Sequence, residues 1–317
     1  MTPAPPLLVI AGATATGKTG LAIRVALALR ADDIPAEIIS ADSRQVYRGL
    51  NIGTAKATVS ERQGVPHHGL DLVEPDQPFS VADFAAHVAG VLDHLASSGG
   101  LAILVGGTGL YLRAVVRGLD MDALPADQDV RARIEAELAD AGIEAAATRL
   151  RSLAPALAVG VDLRNPRRVA RALEIAELCG DGPRPAPVGY PGAASWIGVD
   201  VEPAEHARWI ADRARAQFDA GLVEEAAALR RRYDPSLRAF TAIGYQEAWS
   251  LLDGRIDRST AIDLDAQRNL AFAKRQRTWF RGERGIEWHD PASADPVPRV
   301  LRIARALVAS RPSGGRT

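Results

Sequence analysis

The octapeptide Gly12-Ala13-Thr14-Ala15-Thr16-Gly17-Lys18-Thr19 lies between an apolar run, Leu7 to Ala11, and a helical pattern, Leu21 to Leu29. It matches GxxxxGK[ST] without a mismatch. A chain that places this loop between a strand and a helix is directed toward a parallel α/β sheet, because the loop works where a strand end feeds a helix N-terminus. There the glycines let successive backbone N–H groups turn inward around phosphate oxygens, and the helix adds a partial positive charge. Lys18 supplies a point charge to a diphosphate, and Thr19 carries the hydroxyl that ordinarily ligates Mg²⁺. The loop does not specify which phosphorylated molecule it holds.

Three more apolar runs, Ala36 to Ser40, Leu101 to Val105 and Trp196 to Val201, read with Leu7 to Ala11 as buried parallel strands, with helical patterns such as Val81 to Leu95 between them. The expected fold is α/β, a P-loop-containing doubly wound parallel sheet with a helical insertion and a helical C-terminal region. Residues 1–117 form the first part of this core. The character changes over 118–192, where Asp127 or Asp129 can cap a helix stopping at Gly142, and Asn165 with Pro166 starts a second one running to Gly180. Residues 193–309 complete the core with helices over 204–220, 222–233, 244–252 and 260–281, and a Gly/Pro/Arg-rich stretch at 310–317 is expected to be a flexible tail.

An ordinary ATPase has an apolar strand ending in an Asp that helps hold Mg²⁺. Here the strand Leu101 to Val105 ends in Gly106-Gly107-Thr108. The strand Ala36 to Ser40 delivers Asp42 instead, and since ligands of open α/β sheets bind beyond the carboxyl ends of the strands, Asp42 and Thr108 should converge on the loop. Asp42 can equally be a cap for the polar turn Ser40 to Ser43.

The net charge is −1, from 38 Lys plus Arg against 39 Asp plus Glu, which argues against a uniformly basic nucleic-acid binder. The average conceals two clusters. Arg167, Arg168 and Arg171 fall within about 100° on one helix, and Lys274, Arg277, Arg281 and Arg284 within about 80° on another if it continues that far, with Trp279 beside them to stack on a base. Removing Arg164, Arg167, Arg168, Arg171 and the stretch 268–284 leaves 28 basic against 38 acidic residues. Such faces are either solvated or contacts to a phosphate backbone. The single Cys, Cys179, excludes an intrachain disulfide, no apolar run approaches the ~20 residues of a membrane span, and the first residues lack the regions of a signal peptide. A cytoplasmic, monomeric protein with no membrane partner is the expectation.

Segments in order along the chain resemble the tRNA dimethylallyltransferases: Gly12 to Thr19, Ser40 to Lys56 (SADSRQVYRGLNIGTAK), Pro66 to Asp71, Phe79 to Phe84, Gly106 to Tyr111, Asn165 to Glu174, Ile243 to Glu247 and Lys274 to Gly282 (KRQRTWFRG). The resemblance implies prenyl transfer from dimethylallyl diphosphate, held with Mg²⁺ by the loop, to N6 of adenosine 37 in the anticodon loop of tRNA. It further implies that Asp42 is the general base, that Thr14 contacts the prenyl diphosphate and that Arg213 helps bind it. Contacts to tRNA would fall on Asp42, Ser43, Arg44 and Gln45, on Thr108 and Arg131, and on Arg167, Arg168, Val169, Ala170 and Arg171. They would continue through Thr241, Ala242, Ile243, Gly244, Tyr245 and Gln246, then Lys274, Arg275, Gln276, Arg277, Thr278, Trp279, Phe280 and Arg281. Departures from the family pattern are Ala57, Gly69, Trp209 and Gln246. The competing readings are a small-molecule kinase using ATP on the same loop, an isopentenyltransferase acting on free AMP, and a noncatalytic nucleotide-dependent RNA-binding protein.

Overall fold

The computed structural model describes residues 3–118, 126–182 and 187–311. Six strands, β1 (Leu7–Gly12), β2 (Ala36–Ser40), β3 (His67–His68), β4 (Leu101–Gly106), β5 (Ala194–Val199) and β6 (Ile286–His289), make one parallel sheet in the order β3-β2-β4-β1-β5-β6. β4 and β1 are the two middle strands and are apolar and buried on both faces; in β1, Ile10 pairs with Val105 on one side and Ile197 on the other. Successive side chains go to opposite faces, so Leu7, Val9 and Ala11 enter one core cluster and Leu8 and Ile10 the other. Each fully buried Leu or Ile in these layers contributes about 1.5–3 kcal/mol.

The second face is covered by α1 (Lys18–Ala31) and by the helix Val297–Ala309, through Leu21, Val25 and Leu29 on one and Val300, Ala304 and Leu307 on the other. After α1 come α2 (Val59–Arg62), α3 (Val81–Ser98) and α4 (Gly109–Arg113). Ser80 starts α3 with a reciprocal capping box to Asp83, and Phe84, Val88, Val91 and Leu95 form the stripe it buries on the first face. Past β5 the chain adds α8 (Pro203–Asp219), α9 (Leu222–Arg230), α10 (Tyr245–Leu252), α11 (Arg258–Arg281) and α12 (Val297–Ala309). The strand expected over 196–201 runs from Ala194 to Val199.

Two compact units result, 1–117 with 189–317 and 118–188, so the second ends before the expected boundary at 192. Of the tail expected at 310–317, only Ser310 and Arg311 lie within the described residues. The second unit contains α5 (Gln128–Leu153), α6 (Pro155–Val159) and α7 (Pro166–Cys179). Asp127 caps α5 by accepting from the N–H groups of Asp129 and Val130, and Asn165 caps α7 by accepting from Arg168 N–H, with Pro166 at the first helical position. Gly142 ends the first helical stretch of α5 as expected, with a non-helical backbone (φ 78°, ψ 171°), and a second stretch follows it directly because Ala146, Ala147 and Leu150 are buried there. Among the described residues no helix is long and apolar enough to cross a membrane.

Candidate active site

The loop from Gly12 to Thr19 turns at the end of β1, where Ala15 (φ 60°) and Gly17 (φ 80°) take left-handed backbone. Gly17 is the N-cap of α1, a position where this backbone comes at no steric cost only to glycine. Thr14 is held by three side chains that arrive from far along the chain. Its N–H donates to Gln276 Oε1 at 2.8 Å, its carbonyl accepts from His206 Nε2 at 2.7 Å, and its hydroxyl accepts from Arg213 Nη1 at 2.7 Å. The carbonyl can only accept, so the His206 proton sits on Nε2; burial holds this imidazole below its ordinary value, and it bonds as the neutral ring.

Arg213, on α8, also donates through Nη2 to Asn269 Oδ1 at 2.8 Å, while its Nε is buried with no partner. Burial pushes this guanidinium below its usual value against the pull of Asp265 and Asp42. Behind it Asn269 Nδ2 donates to Asp265 Oδ1 at 2.7 Å, and burial with the Glu247 charge raises the Asp265 carboxyl to about 6. Lys18 turns back onto its own loop, donating to Ala13 O, and Thr16 Oγ1 lies 3.4 Å from its Nζ. Burial, then Arg213, lower it to about 7, so diphosphate entry would restore a full charge that the free site suppresses.

Asp42 follows β2, and its Oδ1 accepts from Arg44 N–H at 2.8 Å. It caps its turn and still faces the site, so the two readings of this residue are compatible. Thr108, past β4, accepts from Ser43 N–H at 3.0 Å and ties the two strand ends together. Arg44 donates to Arg238 O and to Thr241 Oγ1, and Gln45 donates to Thr54 O while accepting from Ser40 Oγ. Two cavities open here. One of about 220 Å³ is walled by the phosphate loop, Ser40, Asp42 and Gln276; a larger one of about 400 Å³ is walled by Asp42, Arg44, Thr108, Ile243, Phe272 and Arg275 among others. Thr14, Asp42, Thr54 and Arg213 line both.

The residues expected to meet RNA divide by exposure. Arg167 and Arg168 in the second unit, and Lys274, Arg275, Thr278 and Arg281 in the first, are exposed, as is Gln246. Val169, Ala170, Tyr245, Gln276 and Phe280 are buried, because a continuous stretch of helix must turn part of its surface inward, and Ala242 and Gly244, in the turn before α10, are buried as well. Ile243 lines the larger cavity. Arg131 and Arg171 both pair with the buried Glu174, at 2.9 and 2.8 Å, which gives them a partner within their own unit. Arg277 pairs through Nε with Asp200 at 2.7 Å. Arg284 lies beyond the end of α11 at Arg281 and drops out of the expected face. Trp279 is half-buried with the Arg113 guanidinium 4.4 Å from its ring centroid, so that face of the indole already has its cation.

His206 and Asn269 were not among the residues expected at the site, and Gln276 was expected on RNA rather than on the loop. Each touches its partner across more than fifty positions of sequence, and no periodicity reports such a contact.

Over residues 45–283 the sequence matches the family described as IPP transferase. A tRNA dimethylallyltransferase of Symbiobacterium thermophilum is 38% identical, with 98% of each chain covered. One from Anaeromyxobacter dehalogenans is 43% identical over 94% of this chain and 99% of its own. The crystal structure of the full-length tRNA isopentenylpyrophosphate transferase from Bacillus halodurans superposes with a TM-score of 0.69 at 36% identity, covering 96% of both chains.

Proposed function

This chain belongs to the IPP transferase family, and from that premise we infer that it transfers a dimethylallyl group to tRNA. The donor is dimethylallyl diphosphate and the acceptor N6 of the adenosine at position 37. The observation that carries this reading is the pair of cavities with Thr14, Asp42, Thr54 and Arg213 as their common wall: one suits a diphosphate, the other a base and a short apolar chain, and the bond would form where they meet.

The N6 lone pair is delocalised into the adenine ring, which makes it a poor nucleophile. Asp42 accepts the N6 proton as the N6–C1 bond forms, and the allylic C1–O bond breaks with its electron pair leaving on diphosphate. The phosphate-loop amides, Lys18 and Arg213 stabilise that leaving charge. Target adenine must leave its stack to enter the larger cavity, and the exposed Lys274, Arg275, Thr278 and Arg281 of α11 offer contacts to the RNA backbone.

Thr19 lines the phosphate cavity together with Asp42, so a hydroxyl and a carboxylate are available to a diphosphate bound there. One hydroxyl and one carboxylate are a donor set that fits Mg²⁺, which takes few protein ligands and completes its shell with phosphate oxygens and water. Thr19 would hold it, and it would supply further charge neutralisation to the leaving diphosphate. Incubation with unmodified tRNA, Mg²⁺ and dimethylallyl diphosphate, followed by mass analysis of the nucleosides, tests the proposal: prenylated adenosine at the anticodon-adjacent position is the expected product, and its absence rejects the function.

A further inference from the structure

Helix α11 has a polar buried face. Asp265, Asn269 and Gln276 lie on it between Ala261, Ala273 and Phe280. A polar amide at 7% exposure needs both its ends satisfied, and Gln276 meets that condition entirely with backbone: Oε1 accepts from Thr14 N–H at 2.8 Å and Nε2 donates to Gly107 O at 2.9 Å. One partner is in the phosphate loop after β1 and the other in the Gly106-Gly107 turn after β4. The approach is close enough that a Cβ on Gly107 would lie 2.2 Å from Gln276 Nε2, so any side chain there would displace the Gln276 amide.

We infer that Gln276 is a positioning residue for the diphosphate site, and that it acts by withdrawing the Thr14 N–H from the phosphate cradle and fixing the Thr14 hydroxyl against Arg213. The inference deepens the function proposed above and rests on it only for the identity of the substrate. The physical reason is directional. One partner is a donor and the other an acceptor, so the side chain must present an acceptor and a donor on one planar group at this reach, which Gln does. With Gln276 removed, the half-buried Thr14 N–H and Gly107 carbonyl lose their partners, and the loop relaxes toward whatever satisfies them. Thr14 Oγ1 then loses its fixed distance to Arg213 Nη1, and the cradle loses its preformed shape.

The test is a double-mutant cycle between Gln276→Met, which keeps the volume and removes both bonds, and Thr14→Val, which removes the hydroxyl. Affinity for inorganic diphosphate is read by calorimetry, alongside kcat and KM for dimethylallyl diphosphate. Gln276→Met is expected to weaken diphosphate binding about tenfold, the scale of two half-buried bonds lost, with KM rising in step. The double variant is expected to bind no more weakly than the worse single variant, because a misplaced hydroxyl has nothing left to lose. Binding within twofold of wild type in Gln276→Met, or losses that multiply in the double variant, would overturn the inference. Should Gln276→Met not fold, Gln276→Asn, too short to reach both partners, takes its place in the cycle with the same two readings. A wild-type protein that binds diphosphate but transfers nothing would sink the proposed function while leaving the cycle decisive for Gln276.

Discussion

Arg213 Nη1 donates to the Thr14 hydroxyl at 2.7 Å, so a cation on α8 is fixed to the first half of the phosphate loop. Its other terminal nitrogen is fixed by Asn269, which leaves the buried Nε as the donor still lacking a partner. Lysine cannot bridge two acceptors in this plane. Arg213→Lys is therefore expected to lower single-turnover prenyl transfer by about 10²-fold, the scale of one removed anion-stabilising donor. Transfer within threefold of wild type would show that the guanidinium plane is unimportant.

Asp42→Asn preserves the oxygen that accepts from Arg44 N–H and removes only the basicity. Diphosphate affinity should stay close to wild type while transfer falls by ~10²-fold or more. Equal loss of both would mean that the carboxylate organises the cradle instead of taking a proton.

Lys18, pushed down to about 7 by burial and then by Arg213, gives an unusual dependence on pH. Between about 7 and its ordinary value the unfolded chain binds more protons at this residue than the folded one, so its contribution to stability rises with pH across that window. Urea midpoints of wild type measured against Lys18→Met should therefore climb from pH 7 toward pH 10. Diphosphate binding near pH 8 should also take up as much as about one proton more in wild type than in Lys18→Met, read from calorimetry in buffers of different ionisation enthalpy. A flat difference in both experiments would place the lysine at its ordinary value.

Glu174 has no exposed side-chain surface and receives Arg131, Arg171 and the Asp127 N–H. Burial alone would raise this carboxyl, but the bonds from Arg171, Arg131 and Asp127 outweigh it and hold it below the ordinary value. Its contribution to stability is thus present above the unfolded value and lost as pH falls through the depressed one. Glu174→Gln should cost the second unit about 2–3 kcal/mol, less than a wholly buried pair because Arg131 and Arg171 are 43% and 30% exposed. Hydrogen exchange in α5 and α7 is the measurement, since that unit contains no tryptophan.

Arg167→Glu with Arg168→Glu should weaken tRNA binding and reduce the slope of log affinity against log salt by roughly one for each phosphate contact removed. Both residues are exposed, whereas Arg171 has Glu174 as a partner, so Arg171→Glu mixes a lost contact with a damaged core. An unchanged slope would assign the RNA contacts of this helix elsewhere.

The phosphate loop, the four long strand runs and the caps at Asp127 and Asn165 could be read from sequence because each is a local signal, carried by adjacent residues. β3 and β6 could not: one is two histidines and the other a short edge strand, and neither has the apolar run of a central strand. Gly142 breaks α5 where a local glycine signal puts the break, but the helical stretch after it is not legible locally, because Leu150 and its neighbours are specified by packing on α7. At the site, Asp42 and Thr108 are found where strand-end logic puts them. His206, Asn269 and Gln276 are not legible in that way, because their partners are set by how α8 and α11 cross the end of the sheet.

Two cavities with a common wall can be filled at the same time, and neither has to empty before the other is used. Donor carbon and acceptor nitrogen can then meet directly, with no side chain carrying the transferred group between them. Such a molecule has the geometry of a ternary-complex enzyme, and its initial rates should give intersecting rather than parallel double-reciprocal lines.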